Sequence, residues 1–454
     1  MNSHSRIAAA VAAVLAASAS GYVAASQPSP SSAQSPNVGL YIAGSSAAKN
    51  AVLAALETDL CGGSYSLFSS SGDTNFFAVS CTPSLSTVSG ANGTNVFTVW
   101  YRDEGGSVVG AIPAVTGSMI NQLLLTAATG TSSPYVVSVP GSSAANGIDD
   151  SYGTGTFKAQ LQLGITDVEP AVLVGDNYPS AYKTSVYGTA TAGALGALSK
   201  VTLFDQVFGI FVNTSGTGIF STAQQADQGK SAANTTGALS IPKSAITDIL
   251  TGGSTDWNVV EGMNGSAISS NATTSIVIVN REQGSGSRTA TSIYFTGDGC
   301  GGSPGILEST GGTADYFSTG NVLSAANLVP GSITYASIDN AGSTSFPNLT
   351  LVAVNGIVPT NAQAANGPAD EWYEATFVTP SYSGFSLSAD QTSLVTFLTK
   401  EFQAEATAPN AADNLVIPGK SGNAATLPPV ASRGIYVNPY TRGGSSCNAP
   451  SNSI

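Results

Sequence analysis

The sequence predicts an α/β fold with largely parallel strands, and three observations carry that expectation. Short apolar runs rich in β-branched or aromatic residues recur along the chain. A Gly/Ser turn follows several of them. Apolar residues at helical spacing come next. Residues 39–43 (GLYIA) read as the first buried strand. Gly44-Ser45-Ser46 then turns the chain into a helix with Val52, Leu53, Leu56 and Leu60 on one face and a serine placed to cap its start. Residues 95–101 (NVFTVWY) are a second strand, and the stretch after Ser107 is weakly helical. Residues 157–165 (FKAQLQLGI) alternate as a third strand that ends at Thr166-Asp167. Residues 206–212 (QVFGIFV) are strand-like. Residues 241–250 carry Pro242 near a helical start and stop at Thr251-Gly252-Gly253. Residues 275–279 (SIVIV) are a strand that leads through 281–287 (REQGSGS) into a helix containing Thr291, Ile293 and Phe295. Residues 388–403 form a late helix with Leu394, Phe397, Leu398 and Phe402 on one face.

Composition narrows the function. Charged residues are 9% of the 454 positions, against about 25% in an average soluble protein. Hydrophobic residues are 42%, enough for a large core. Small uncharged polar residues and 51 glycines fill the surface instead of charge, which suits an exported protein. Net charge is −13 with no basic tract, so no nucleic-acid partner is expected. The single histidine is His4. Ser-His-Asp, Cys-His and His-ligated metal chemistry need an imidazole, so the chain is not expected to be an enzyme.

His4 falls in a leader. Residues 1–6 are polar with one positive charge, 7–17 are apolar, and Val23-Ala24-Ala25 fits cleavage before Ser26. Residues 1–25 are therefore expected to be a signal peptide, although such a run can also be a buried N-terminal helix. It is too short to span a bilayer. Residues 26–36 (SQPSPSSAQSP) read as an extended, mobile Pro/Ser linker. A periplasmic or secreted location follows. Four cysteines without a CxxC pair argue for two disulfides in that compartment. Three pairings are possible. A local Cys61–Cys81 loop and a Cys300–Cys447 clamp on the tail are the expected ones, and four buried thiols are the alternative.

Four turns share one design: Gly44-Ser45-Ser46, Gly106-Ser107, Gly164-Ile165-Thr166-Asp167 and Gly284-Ser285-Gly286-Ser287. A helix start leaves backbone N–H groups unpaired and carries partial positive charge, so it accepts anions. Each turn alone reads equally as an ordinary capped helix. Four at the carboxyl ends of strands point to a ligand. Arg281 directly precedes the last of them and can grip two oxygens of a tetrahedral anion, or form an ion pair with Glu282 or Asp167. Asp167 would repel a fully ionised anion. It suits a ligand that still carries a proton, such as phosphate, and is wrong for sulfate. It can also be read as a helix N-cap.

These residues resemble the periplasmic phosphate-binding proteins that feed ABC phosphate importers. The resemblance covers roughly residues 40–338 in ordered blocks. The family's opening turn is similar to Ala43-Gly44-Ser45-Ser46, and its strand with a Gly/Ser loop to Trp100-Tyr101 and Gly105-Gly106-Ser107. The GxSD block is similar to 164–167, the block ending in Trp to 246–257, the RxDGSGT signature to 281–287, and the GSIGY block to 331–335. The resemblance implies a two-lobed type II periplasmic-binding-protein architecture, each lobe a mostly parallel sheet flanked by helices, with a hinge between them. Lobe 1 would hold 37–200 plus 336–454, and lobe 2 would hold 201–335. It implies inorganic phosphate as ligand, held by Ser46, Ala47, Ser107, Asp167, Arg281, Ser285, Gly286 and Ser287, with Ala47 donating its N–H. No cofactor or metal is implied, and the expected state is a monomer with an ABC permease as a possible partner.

The chain departs from the pattern in places. Gln283 stands where the family has an acid that fixes the arginine, and Ser287 replaces a threonine. Arg102-Asp103-Glu104 adds charge near the proposed ligand. Extra length lies in 63–93, 111–155 and the tail. Three other readings stay open. The first is a secreted scavenger or surface protein of the same fold without a permease. The second is a structural relative that has lost its site. The third is an enzyme, against which Gly284-Ser285-Gly286 is not a G-x-S-x-G elbow and no carboxylate cluster suggests paired metals.

Overall fold

The computed structural model describes residues 27–73, 75–139, 154–178, 186–215, 220, 239–263, 265–269, 274–402, 416–418, 436–438 and 440–452. The expected signal peptide, with His4, lies outside the described residues.

The Pro/Ser segment differs from its expected extended form. Pro30–Gln34 is a short helix, α1, with Ser29 capping Ser32 N. Ala33 is buried, Pro28 O accepts from Ser66 Oγ at 2.7 Å, and Gln34 accepts from Leu125 N at 2.6 Å. A proline at the first helical turn is pre-set for that geometry, and these contacts dock the turn on the fold.

Chain order continues with β1 (Val38–Gly44), α2 (Lys49–Ala54) extended by one π-helical turn (Ala55–Leu60), β2 (Ser66–Gly72), β3 (Phe76–Cys81), β4 (Phe97–Arg102) and α3 (Ser107–Thr116). β5 (Met119–Leu123), β6 (Tyr135–Val139), β7 (Thr156–Gln160) and β8 (Leu163–Thr166) complete this lobe. Its sheet order is β8-β1-β4-β3-β2-β6. β8, β1 and β4 run parallel, so Gly44, Arg102 and Thr166 end at the same edge. β3 is antiparallel to both β4 and β2. The expected single strand over 157–165 is two strands. β7 pairs with β5 in a separate ribbon, β8 pairs with β1, and the chain bends between them at Leu161-Gln162. Gln162 fixes that bend: its N donates to Tyr41 O at 3.0 Å and its side-chain oxygen accepts from Tyr41 N at 3.0 Å.

β9 (Ser199–Asn213) joins the lobes. Its first half pairs with the later strand β15 (Trp372–Thr379), and its second half, Phe208 to Val212, pairs with β12 (Ser332–Ser337). β15 in turn pairs with β8. The second lobe has β10 (Ser240–Ile241), α4 (Lys243–Leu250), β11 (Val277–Ile278), α5 (Gly286–Thr296) and α6 (Thr319–Leu328). Beyond β12, β13 (Leu349–Leu351) pairs with β9, and β14 (Ala353–Val354) pairs with β10. β11 is parallel to β12, so residues 279–281 leave the sheet at a carboxyl end, as the first lobe's turns do. α7 (Ala389–Phe402) covers β1 and β9 with Leu394, Phe397, Leu398 and Phe402.

Separate apolar cores follow from this layout. Leu40, Ile42, Val99 and Leu163 pack under α2 and α7, while Ile210, Ile246, Trp257 and Ile333 form the core of the second lobe. Each such side chain contributes roughly 1.5–3 kcal/mol when fully buried. Both disulfides pair as expected: Cys61 with Cys81 at the end of β3, and Cys300 with Cys447 of the tail. No helix among the described residues is long and apolar enough to cross a membrane.

Replacing Cys61 and Cys81 together by alanine opens a loop of 20 residues. Loop-closure entropy sets an expected loss of about 3 kcal/mol, read as a lower urea midpoint with the fold retained. An unchanged midpoint would contradict the structural role of this bridge.

Candidate functional site

The parallel strands β1, β4 and β8 deliver their following residues to one edge of the first lobe. Gly44 opens the turn after β1, where Ser45 N donates to Ile165 O at 3.0 Å. Ser45 Oγ caps Ala48 N at 2.9 Å and also donates to Asp167 Oδ1. α3 brings Ser107 to the same place because its backbone lies directly on the sheet. A Cβ on Gly110 would overlap Ile165 and Ala43 carbonyls, and one on Gly164 would overlap Gly110 O. Only hydrogen at both positions allows that approach. Ser107 Oγ then accepts from Asp167 N at 2.9 Å and donates to Asp167 Oδ2 at 3.2 Å.

The second lobe meets this edge through α5. Ser285 caps it, its Oγ accepting from Arg288 N at 3.4 Å. Gly286 presses against the first lobe so closely that a Cβ would overlap Ser107 Oγ and Asp167 Oδ2. Gly106 lies opposite, where a Cβ would come 3.0 Å from Ser285 Cα and 3.4 Å from Arg281 Nη2. Val108 N donates to Gly284 O at 3.0 Å, and Gly105 N donates to Phe317 O at 3.1 Å. At a helix start the first amides have no intrahelical acceptor. Ser285 N is bonded to Glu282 O and Arg288 N to Ser285 Oγ, which leaves the Gly286 and Ser287 amides as the two unmatched donors of this start among the described residues. Ser287 Oγ is buried with no hydrogen-bond partner among the described residues.

Arg281 is 1% exposed. Its Nη1 donates to Ser46 Oγ and Thr319 Oγ1, each at 3.1 Å, its Nη2 to Phe317 O at 3.0 Å, and its Nε to Tyr316 O at 3.1 Å. The guanidinium thus bridges the β1 turn of one lobe to the 316–319 segment of the other. The alternative of a close ion pair with Asp167 is not what holds it. Burial lowers the Arg281 pKa, opposed by the charges of Glu282, Tyr335, Asp167 and Asp103.

The structure therefore brings Ser46, Ser107, Asp167, Arg281, Ser285, Gly286 and Ser287 to one place. Ala47 follows Ser46, and its methyl packs in the apolar core beneath the turn. Asp167 is not a helix cap: the next helical turn, Pro170–Val172, has Glu169 at its N-cap position. Two site residues escape the motif reading. Ser45 lies inside the Gly44-Ser45-Ser46 turn, and its hydroxyl reaches the aspartate rather than solvent. Thr319 contacts both Ser46 and Arg281, with its own N donating to Ser46 Oγ at 3.2 Å. Its only sequence signal is its place after Ser318, which caps α6.

The charged 102–104 loop is internally neutralised. Arg102 pairs with Glu104 at 2.8 Å, both fully buried, and Lys49 pairs with Asp103 at 3.4 Å. Burial still raises Glu104 to about 8 against the pull of Arg102, and Asp103 to about 6 against the pull of Lys49. Gln283 lies 3.5 Å from Glu308, whose carboxylate also accepts from Arg288 at 2.9 Å. The residue at the departed family position thus faces the Arg288 cluster instead of Arg281.

Asp167 is pushed up to about 6 from 3.8, chiefly by burial. The hydrogen bond from Ser45, the charge of Arg281 and the hydrogen bond from Ser107 oppose the rise. The carboxyl is therefore poised between acceptor and donor near neutral pH.

No protein-family model matches the chain, and no curated protein matches it. Among solved structures it is similar to an ABC-type phosphate transport receptor from Vibrio cholerae, at 12% identity over 80% of this chain and 94% of that one, TM-score 0.38. It is similar to a DING protein at 13% identity over 82% of this chain and 88% of that one, TM-score 0.40. It is also similar to a phosphate-binding protein from Stenotrophomonas maltophilia, at 13% identity over 80% and 84% of the two chains, TM-score 0.38.

A raised folded-state pKa for Asp167 means that the folded protein binds more protons than the unfolded chain between 3.8 and about 6. Stability must then fall as pH rises through that window and level off above it. Asp167→Asn is expected to make this decline shallower in ligand-free protein, measured by urea unfolding at a series of pH values. An unchanged slope would show that Asp167 ionises freely.

Proposed function

We propose that the mature chain is an exported solute-binding protein that holds inorganic phosphate between its two lobes. The observation that carries the reading is the convergence of two unmatched amides, an unpartnered hydroxyl and a guanidinium held only by neutral oxygens on a poised carboxyl. The Gly286 and Ser287 amides, the buried Ser287 hydroxyl and the Arg281 guanidinium come from one lobe. Ser46, Ser107 and Asp167 come from the other. A tetrahedral oxyanion offers many acceptor sites, and a guanidinium can serve two of them at once. Hydroxyls rotate to suit, and helix-start amides add fixed donors. Ser45 and Thr319 would hold Asp167 and Arg281 in position rather than touch the ligand.

Asp167 supplies selectivity. Phosphate near neutral pH keeps a P–O–H group that can donate to a carboxylate. Sulfate has none, so it would set an ionised acceptor against an ionised oxygen in a buried site. The lobes, taken as 37–200 with 336–454 and 201–335, would close because the ligand has partners on both. Closure energy comes from that difference in contacts between open and closed forms. The paired strands β9 and β12, which cross those bounds, would form the hinge. Delivery to an ABC permease is the first physiological role for such a receptor. A scavenger without a permease is the second, favoured by the Gly/Ser/Asn-rich insertions. Location separates them: the first requires a periplasmic or surface-held protein, the second one released to the medium.

Calorimetric titration of the mature protein, stripped of co-purified ligand, tests the reading. Phosphate is expected to bind, sulfate to bind at least about tenfold more weakly, and Arg281→Ala to weaken phosphate by about tenfold or more. Equal binding of both anions would remove the role given to Asp167. No heat with either would favour the structural-relative reading.

A further inference from the structure

Away from the oxyanion site, a cavity of about 300 Å³ opens beside the start of β15. It is lined by Lys243 in the first turn of α4, Tyr294 of α5, Asn355 and Pro359 after β14, and Asp370 and Glu371 before β15. Tyr294 lies eight residues beyond Gly286, about 12 Å along the helix, so the two sites are separate. The volume is in the range of small-molecule pockets.

Glu371 makes the cavity unusual. It is 3% exposed, neither carboxyl oxygen makes a close hydrogen bond to a described residue, and the groups acting on it are the Lys243 ammonium and the Thr291 hydroxyl. Its backbone is fixed, because its carbonyl accepts from Phe208 N of β9 at 2.9 Å. A buried carboxyl whose oxygens lack close donors is strongly unfavourable, and a single nearby hydroxyl leaves acceptor sites that a donor from elsewhere can fill. The other polar groups of the wall are already engaged. Tyr294 OH donates to Asp370 Oδ1 at 2.7 Å. Lys243 Nζ sits over the Tyr294 ring, 3.4 Å from its centroid. Asn355, in the left-handed conformation at φ 50°, accepts from Lys243 N at 2.9 Å and so sets the start of α4. The formal charge of the lining is −1: Lys243 against Asp370 and Glu371. Pro359 and Ile357 add an apolar wall. Burial pushes the Glu371 carboxyl up to about 8, helped by the charge of Asp370 and opposed by Lys243 and the Thr291 hydroxyl.

We propose that this cavity binds a small aliphatic amine in its ammonium form, the ammonium donating to Glu371 and the alkyl chain lying on Pro359 and Ile357. An ammonium has three donors and no acceptor, which matches two oxygens that lack close donors in a net-negative pocket. A carboxylate ligand could use Lys243 but would face Glu371 and Asp370. This proposal is independent of the phosphate reading and leaves every residue of that site untouched.

The test is titration of the intact protein with n-butylammonium chloride near pH 8, beside sodium butyrate and sodium chloride. Saturable binding of n-butylammonium alone is expected. Glu371→Gln is expected to weaken it about tenfold or more, through loss of a charge-assisted hydrogen bond. At a pH high enough to ionise Glu371 in both proteins, Lys243→Met is expected to tighten it several-fold, because a like charge leaves the pocket. Phosphate titration of the same variants should match the parent protein. The proposal is overturned by absence of saturation up to about 10 mM, a range in which even a millimolar ligand saturates. Butyrate binding in place of the amine overturns it too, as does Lys243→Met weakening the amine at a pH that ionises Glu371 in both proteins. The Lys243 variant keeps the test decisive if Glu371→Gln fails to fold.

Discussion

Asp167 is the point on which the two-lobed arrangement turns. It stands at the end of β8, clamped by hydroxyls from the turn after β1 and from the start of α3. Those clamps exist only because α3 lies on the sheet through Gly110 and Gly164, and because β1 and β8 are parallel neighbours. Gly286 of the other lobe then meets Asp167 and Ser107 directly. A side chain at any of these three glycines would hold the segments apart, so local backbone chemistry sets the geometry of the whole site.

Charge follows the same logic. The chain is poor in charge, yet Arg102, Asp103, Glu104, Asp167, Arg281 and Glu282 are all buried around this junction. Burying an ion is strongly unfavourable unless it is paired or hydrogen-bonded. Arg102 with Glu104 and Lys49 with Asp103 answer that requirement within one lobe. Arg281 answers it with neutral oxygens: two hydroxyls and two carbonyls. A guanidinium held by neutral acceptors keeps its full charge available to an anion. One locked to a carboxylate would not. Gln283, in place of an acid, is consistent with that arrangement.

Much of this was legible in the sequence. Periodicity located β1, β4, β9, α4, α5 and α7, and the Gly/Ser turns after strands pointed to the residues that now lie together. Local pattern missed features set by distant partners. The run 157–165 alternates without interruption, so nothing in it announces the bend at Gln162, which is fixed by pairing with Tyr41. The Pro/Ser segment at 26–36 has the composition of a linker, and its docking against Ser66 and Leu125 depends on tertiary contacts. Thr319 belongs to the site through its contacts with Ser46 and Arg281, far from it in the chain. Glu371 carries no signal in the sequence, because burial of a carboxyl in a cavity wall is set by tertiary packing.

The most direct measurement is a crystal structure of the mature protein grown with phosphate. One tetrahedral anion is expected between the lobes, within hydrogen-bond distance of Arg281, the Gly286 amide and Ser287 Oγ, with one of its oxygens facing Asp167. An anion bound elsewhere, or Arg281 still saturated by its four protein acceptors at high phosphate, would contradict it.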